Sequence, residues 1–139
     1  MEAERRLLFR QGVLFLLVSA MLGLVVAAQV PHASKWMAAH VTGLLTGVLL
    51  IGAGALWSEV RLAAGTRAWA ARLTLIAAWT GLAANVYAAI VNLPGPATEP
   101  GRLPDATWQL IPFFAALAVV VPSTLVSFFL VWRGLRAGA

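Results

Sequence analysis

Four stretches of the chain, residues 7–30, 36–57, 68–93 and 108–132, each stay apolar for the ~20 residues a helix needs to cross a hydrocarbon layer. Little sequence is left between them for a soluble domain. Charged residues make up 11% of the chain, against roughly a quarter in soluble domains, and 61% of it is hydrophobic. The runs lack the strict alternation of a membrane β-barrel strand. A lipid-exposed backbone has to satisfy its own hydrogen bonds, so each run is expected to be a helix. The expected fold class is all-α: a polytopic membrane protein built as a four-transmembrane-helix bundle, one domain over residues 1–139, with helices at about the four ranges given.

The first run follows Arg5, Arg6 and Arg10, and Val26-Ala27-Ala28 resembles a signal-peptide cleavage site. Its apolar length exceeds the roughly 7–15 residues of a signal core, so it is read as a retained helix. Basic residues set the expected orientation. Arg5, Arg6, Arg10, Arg61, Arg67, Arg72, Arg133 and Arg136 lie at the two termini and in the second connection, whereas the first and third connections carry only Lys35 and Arg102. This bias places both termini in the cytoplasm. The net charge of +5 then reflects topology and argues against nucleic-acid binding. No cysteine is present, which excludes disulfides, thiolate metal sites and covalent haem attachment through a Cys-x-x-Cys-His sequence.

Pro31 is expected to close the first helix, and the Pro/Gly-rich segment 93–105 to form a stiff, non-helical connection. Asp105 or Thr107 is positioned to cap the fourth helix, within which Pro112 and Pro122 are expected to produce kinks. Trp36, Trp57, Trp69, Trp108 and Trp132 fall near span ends, as in an interfacial aromatic belt; Trp79 does not.

Arg10 and Arg72 sit near the cytoplasmic ends of their runs. His40 is the one ionisable side chain of His, Lys, Arg, Asp or Glu type in the outer half of an apolar run, and such residues mark functional sites by default. At ~1.5 Å per residue it lies roughly 8 Å below the outer surface, with Thr46 near mid-membrane and Asn85 and Tyr87 roughly 9–12 Å deep on the third helix. Asn85 and Asn92 share a helix face, from which Tyr87 points away by about 200°. His40, Gly43, Gly47 and Gly54 form one stripe on the second helix. The stripe can serve close helix packing, with His40 as an interhelical hydrogen-bonding group. Alternatively, it leaves room for a flat macrocycle ligated by one imidazole. A zinc site, which needs three or four protein ligands, does not fit one histidine.

Trp36-x-x-x-His40 with Gly47, then Ala84-Asn85-Val86 with Asn92 and the Pro/Gly-rich connection, then Pro104-Asp105 before the fourth run, resemble the styrene oxide isomerases. The similarity covers most of the chain in order and span count. It implies a homotrimeric four-helix enzyme of the bacterial inner (cytoplasmic) membrane with haem b at subunit contacts. His40 would be the iron ligand, in a cofactor site with Trp36, Gly43 and Gly47. It further implies that ferric haem with an open sixth position acts as a Lewis acid, rearranging an aryl epoxide to an aldehyde by a 1,2-hydride shift. Thr46, Asn85 and Tyr87 are the candidates for orienting that hydrophobic substrate. The sequence departs from the family pattern at Thr46, where the family has asparagine, and at Ala89, where it has tyrosine; Tyr87 comes two residues early. Two alternatives stand beside the isomerase: a haem-binding membrane protein for gas sensing, haem storage or electron transfer, and a structural or transport-accessory protein without cofactor.

Overall fold

The computed structural model describes residues 2–28, 31–94 and 107–136. It contains α1 (Glu2–Ala27), α2 (Ala33–Leu56), α3 (Ala64–Ile90) and α4 (Leu110–Arg136). Single 3₁₀ turns at Trp57–Glu59 and Thr107–Gln109 follow α2 and precede α4. All four helices are long and apolar enough to span a membrane, so the protein is a multi-pass, all-helical membrane protein. α1 packs chiefly on α2 and α3 on α4, and contacts between α2 and α3 join the two hairpins.

The helices outrun their apolar cores, mostly at the ends rich in arginine. α1 starts at Glu2, where Glu2 pairs with Arg6 at 2.9 Å and with Arg5 at 3.5 Å along the helix. A helix needs lipid on its side chains only over the hydrocarbon depth; beyond it, one-turn ion pairs and its own ladder carry it on. The opposite ends of α1, α3 and α4 stop short, whereas α2 starts early, at Ala33. α3 ends at Ile90 because Asn92 takes a left-handed conformation (φ 54°) and Leu93 N–H turns back to the Ala88 carbonyl at 2.9 Å. This is a glycine-type C-terminal cap made by asparagine, the next most tolerant residue. α1 ends at Ala27, before Pro31 is reached. Pro112 lies in the first turn of α4, where a missing N–H breaks no helical bond, so only Pro122 interrupts the ladder, and α4 continues through it. Thr107 opens the 3₁₀ turn; Asp105 lies outside the described residues.

α1 and α2 approach closely because small residues face each other. A Cβ added at Gly12 would lie 2.9 Å from the Gly47 carbonyl oxygen, and one at Gly47 would lie 3.0 Å from that of Gly12. The core beside this seam is Leu8, Phe15, Leu50, Trp57, Val60, Ala70, Ala71 and Leu82. Trp57 is only 1% exposed, so it belongs to the core and not to the aromatic belt: the chain turns inward after α2 and carries the indole under Val60. Trp69, Trp108 and Trp132 are exposed, as belt residues are. Trp79 stacks on Phe15 with ring centroids 4.4 Å apart and donates to Gln11 Oε1 at 3.0 Å. On the opposite seam, the Thr74 and Ser127 hydroxyls lie 2.6 Å apart and both reach the Ala70 carbonyl, so that one donates to the carbonyl and the other to its neighbour's oxygen.

Gly47→Ala is expected to lower the unfolding free energy in detergent by about 1–3 kcal/mol, the usual cost of overpacking. Gly52→Ala, whose Cβ would meet nothing within 4 Å, should leave it unchanged. The orientation expected from the arginines is checked with single cysteines on the cysteine-free chain. At the exposed positions Ser34 and Ser58, a membrane-impermeant maleimide added to intact cells should label Ser34→Cys and spare Ser58→Cys.

Candidate ligand site around His40

Lys35 Nζ donates to Asn92 Oδ1 at 2.5 Å, which sets the start of α2 level with the end of α3. Five residues of helix carry His40 and Tyr87 roughly 8 Å below that level, and seven carry Asn85 roughly 10 Å. The three therefore share one layer, as the spacing suggests. Laterally they do not converge. His40 faces α1. Asn85 donates its amide to the Gly81 carbonyl of its own helix at 2.9 Å. Tyr87 donates to the Gln109 carbonyl at 3.1 Å, tying α3 to the start of α4. The Tyr87 hydroxyl is thus engaged with the backbone, and no described contact links it to His40.

His40 is half-buried, and its Nδ1 lies 2.6 Å from the Ser19 carbonyl oxygen. A carbonyl has no proton to give, so Nδ1 donates. In the neutral ring Nε2 then holds the lone pair. The Ser19 hydroxyl, fully buried, donates in turn to the His40 carbonyl, and its oxygen lies 3.3 Å from Nδ1. This supplies the outer partner that a metal-bound imidazole characteristically has. Trp36, one turn before His40, is half-buried, as is Thr46. Thr46 is rotated by about 120° from His40 around α2.

The glycine stripe does not stay open. A Cβ at Gly43 would meet Ser19 Cβ at 3.0 Å, one at Gly47 would meet Leu16 at 2.8 Å, and one at Gly54 would meet Phe9 at 3.2 Å. α1 fills the strip, so Gly43 and Gly47 serve helix packing within the chain, and a flat group held by His40 has to lie at the exposed side of the ring. Among the described residues no cluster of three or more His, Cys, Asp or Glu side chains exists, so an ion that takes all its ligands from side chains finds no site. One neutral imidazole with a free Nε2 does fit a metal that brings its own equatorial ligands.

Ser19 and Gly23 escape a reading that looks for ionisable groups. Their signal is spacing: Gly12, Ser19 and Gly23 stand seven and four apart on α1, the same intervals as the glycine stripe of α2. Tyr87→Phe should cost about 1 kcal/mol of stability by freeing the Gln109 carbonyl, measurable by thermal unfolding.

Comparisons with known proteins agree with this layout at the level of family. No curated protein and no solved structure matches the chain. The family model for styrene oxide isomerase matches residues 4–136, nearly the whole of it and all four helices. The chain belongs to the styrene oxide isomerase family.

Proposed function

We propose that this chain is a haem b-dependent membrane isomerase that converts aryl epoxides of the styrene oxide type to aldehydes, with His40 as the single axial ligand. The observation that carries the reading is the bond from His40 Nδ1 to the Ser19 carbonyl, which leaves the lone pair of the neutral ring on Nε2 as the donor to a metal. When bound, ferric haem b supplies a Lewis-acid position for the epoxide oxygen.

The rearrangement is redox-neutral. One epoxide C–O bond breaks, a hydrogen moves with its electron pair to the neighbouring carbon, and a carbonyl forms. The chain therefore has to supply neither proton, electron nor water. Its task is to bind, orient and keep dry. Water would trap the benzylic cation as a diol, and a pocket at this depth in hydrocarbon keeps it away. Asn85, with one amide hydrogen on Gly81, retains Oδ1 and a second N–H to orient substrate. Thr46 offers a hydroxyl nearer mid-membrane, and Tyr87 contributes after releasing Gln109. His40 is half-buried and bonded to α1, while Asn85 and Tyr87 are bonded to α3 and to the turn before α4. This division supports a site completed by further copies, as in a homotrimer with haem at subunit contacts. The arginine distribution supports a bacterial inner-membrane setting with both termini cytoplasmic.

Purified, haem-loaded protein should show a Soret band and convert styrene oxide to phenylacetaldehyde. His40→Ala should lose both, and Asn85→Leu should keep the band while turnover falls roughly 100-fold. A band that survives His40→Ala overturns the ligand assignment. Haem without turnover on any aryl epoxide, together with a spectrum that responds to CO or NO, would assign the protein to gas binding.

A further inference from the structure

We propose that Ser19 and Gly23 of α1 are positioning residues for His40, fixing its tautomer and ring plane so that Nε2 alone is presented to iron. The consequence for iron rests on the haem reading above; the tautomer itself does not.

Three features of the α1 face act together on one ring. The Ser19 carbonyl takes the Nδ1 proton at 2.6 Å. An amide carbonyl has two lone pairs, so it can serve the imidazole and the ladder of α1 at once. The Ser19 hydroxyl closes the exchange by donating to the His40 carbonyl, which locks the two backbones in register at this point. Gly23, one turn further along α1, provides the space. A Cβ there would lie 2.9 Å from His40 Cε1, 3.1 Å from Nδ1 and 3.6 Å from Nε2. An imidazole is rigid, and its bond to Ser19 prevents it from retreating, so a methyl group at residue 23 and the observed ring position exclude each other.

Among the described glycines only Gly23 has the imidazole as its nearest neighbour. The rest of the seam bears on other groups: Gly12 on Ile51, Gly47 on Leu16, Gly43 on Ser19. Gly23 therefore bears on the ring directly, whereas the other seam glycines act on it through the approach of the two helices. The other tautomer would set the Nδ1 lone pair against the Ser19 carbonyl oxygen and leave an N–H in hydrocarbon, so the exchange holds the tautomer firmly.

The chain has two histidines, so ¹⁵N-histidine labelling reads the tautomer directly in detergent-solubilised, haem-free protein. The expected result is one histidine, absent in His40→Ala, with a protonated Nδ1 and a lone-pair Nε2. Gly23→Ala should lose this signature and bind haem about 10–100-fold more weakly than wild type. Ser19→Ala, which keeps the main-chain carbonyl, should retain the tautomer. Gly134→Ala, equally crowded with Val60 at 2.7 Å but on α4 beside Arg61 and away from the α1–α2 seam, should retain both the tautomer and the haem spectrum. Wild-type His40 protonated on Nε2 overturns the proposal, as does Gly23→Ala with unchanged tautomer and haem affinity. Equal effects from Gly134→Ala and Gly23→Ala overturn it too, because general packing then accounts for both. If wild-type protein takes up no haem, the functional reading fails on its own while the tautomer still decides this one.

Discussion

The approach of α1 to α2 is the contact on which the rest of the structure depends. In hydrocarbon there is no hydrophobic drive to bring two apolar helices together; close van der Waals contact and interhelical hydrogen bonds decide which faces meet. Here the faces that meet are the smallest ones, Gly12 and Ser19 against Gly43 and Gly47. Close backbones bring the Ser19 carbonyl within reach of His40 Nδ1 and the Ser19 hydroxyl within reach of the His40 carbonyl. A polar group that would be costly alone in lipid thus becomes part of the packing, while its other nitrogen stays available.

The second hairpin holds the remaining candidates at matching depth by different means. Lys35 and Asn92 join α2 to α3 at one end, and Tyr87 and Gln109 join α3 to α4 close by. Deeper in the bundle, Thr74, Ser127 and the Ala70 carbonyl satisfy one another. These polar groups have partners on a neighbouring helix or on their own backbone, whereas the buried indole N–H of Trp57 has none among the described residues, and large apolar side chains such as Phe114, Phe128 and Phe129 face outward. Such an arrangement gives a frame with an apolar exterior, suited to a surrounding of lipid.

Much of this was legible in the chain. The four apolar runs located every helix, because burial in lipid demands length and hydropathy together. They misplaced the ends, since helices at the arginine-rich side persist past the hydrocarbon and those at the other side stop at a cap such as Asn92. Tryptophan position near a span end suggested an interfacial role for Trp57, whereas the inward 3₁₀ turn after α2 takes it into the core. His40 stood out by its cost in lipid, and the layer it shares with Asn85 and Tyr87 followed from helical rise. The glycine stripe admitted two uses, and only the position of α1 settled that it packs against a helix. Ser19 was invisible because its contribution comes largely from a main-chain carbonyl, which every residue has.

Hydropathy and charge are sums over a segment, so composition by itself determined that this is a four-span helical membrane protein and that His40 is its most unusual side chain. Tertiary structure decided which nitrogen of that imidazole is free, which side of the second helix is covered, and that Tyr87 turns towards the fourth helix. Those facts depend on the rotation and separation of one helix relative to another, and such angles are fixed by contacts between residues far apart in sequence, here Ser19 with His40 and Tyr87 with Gln109.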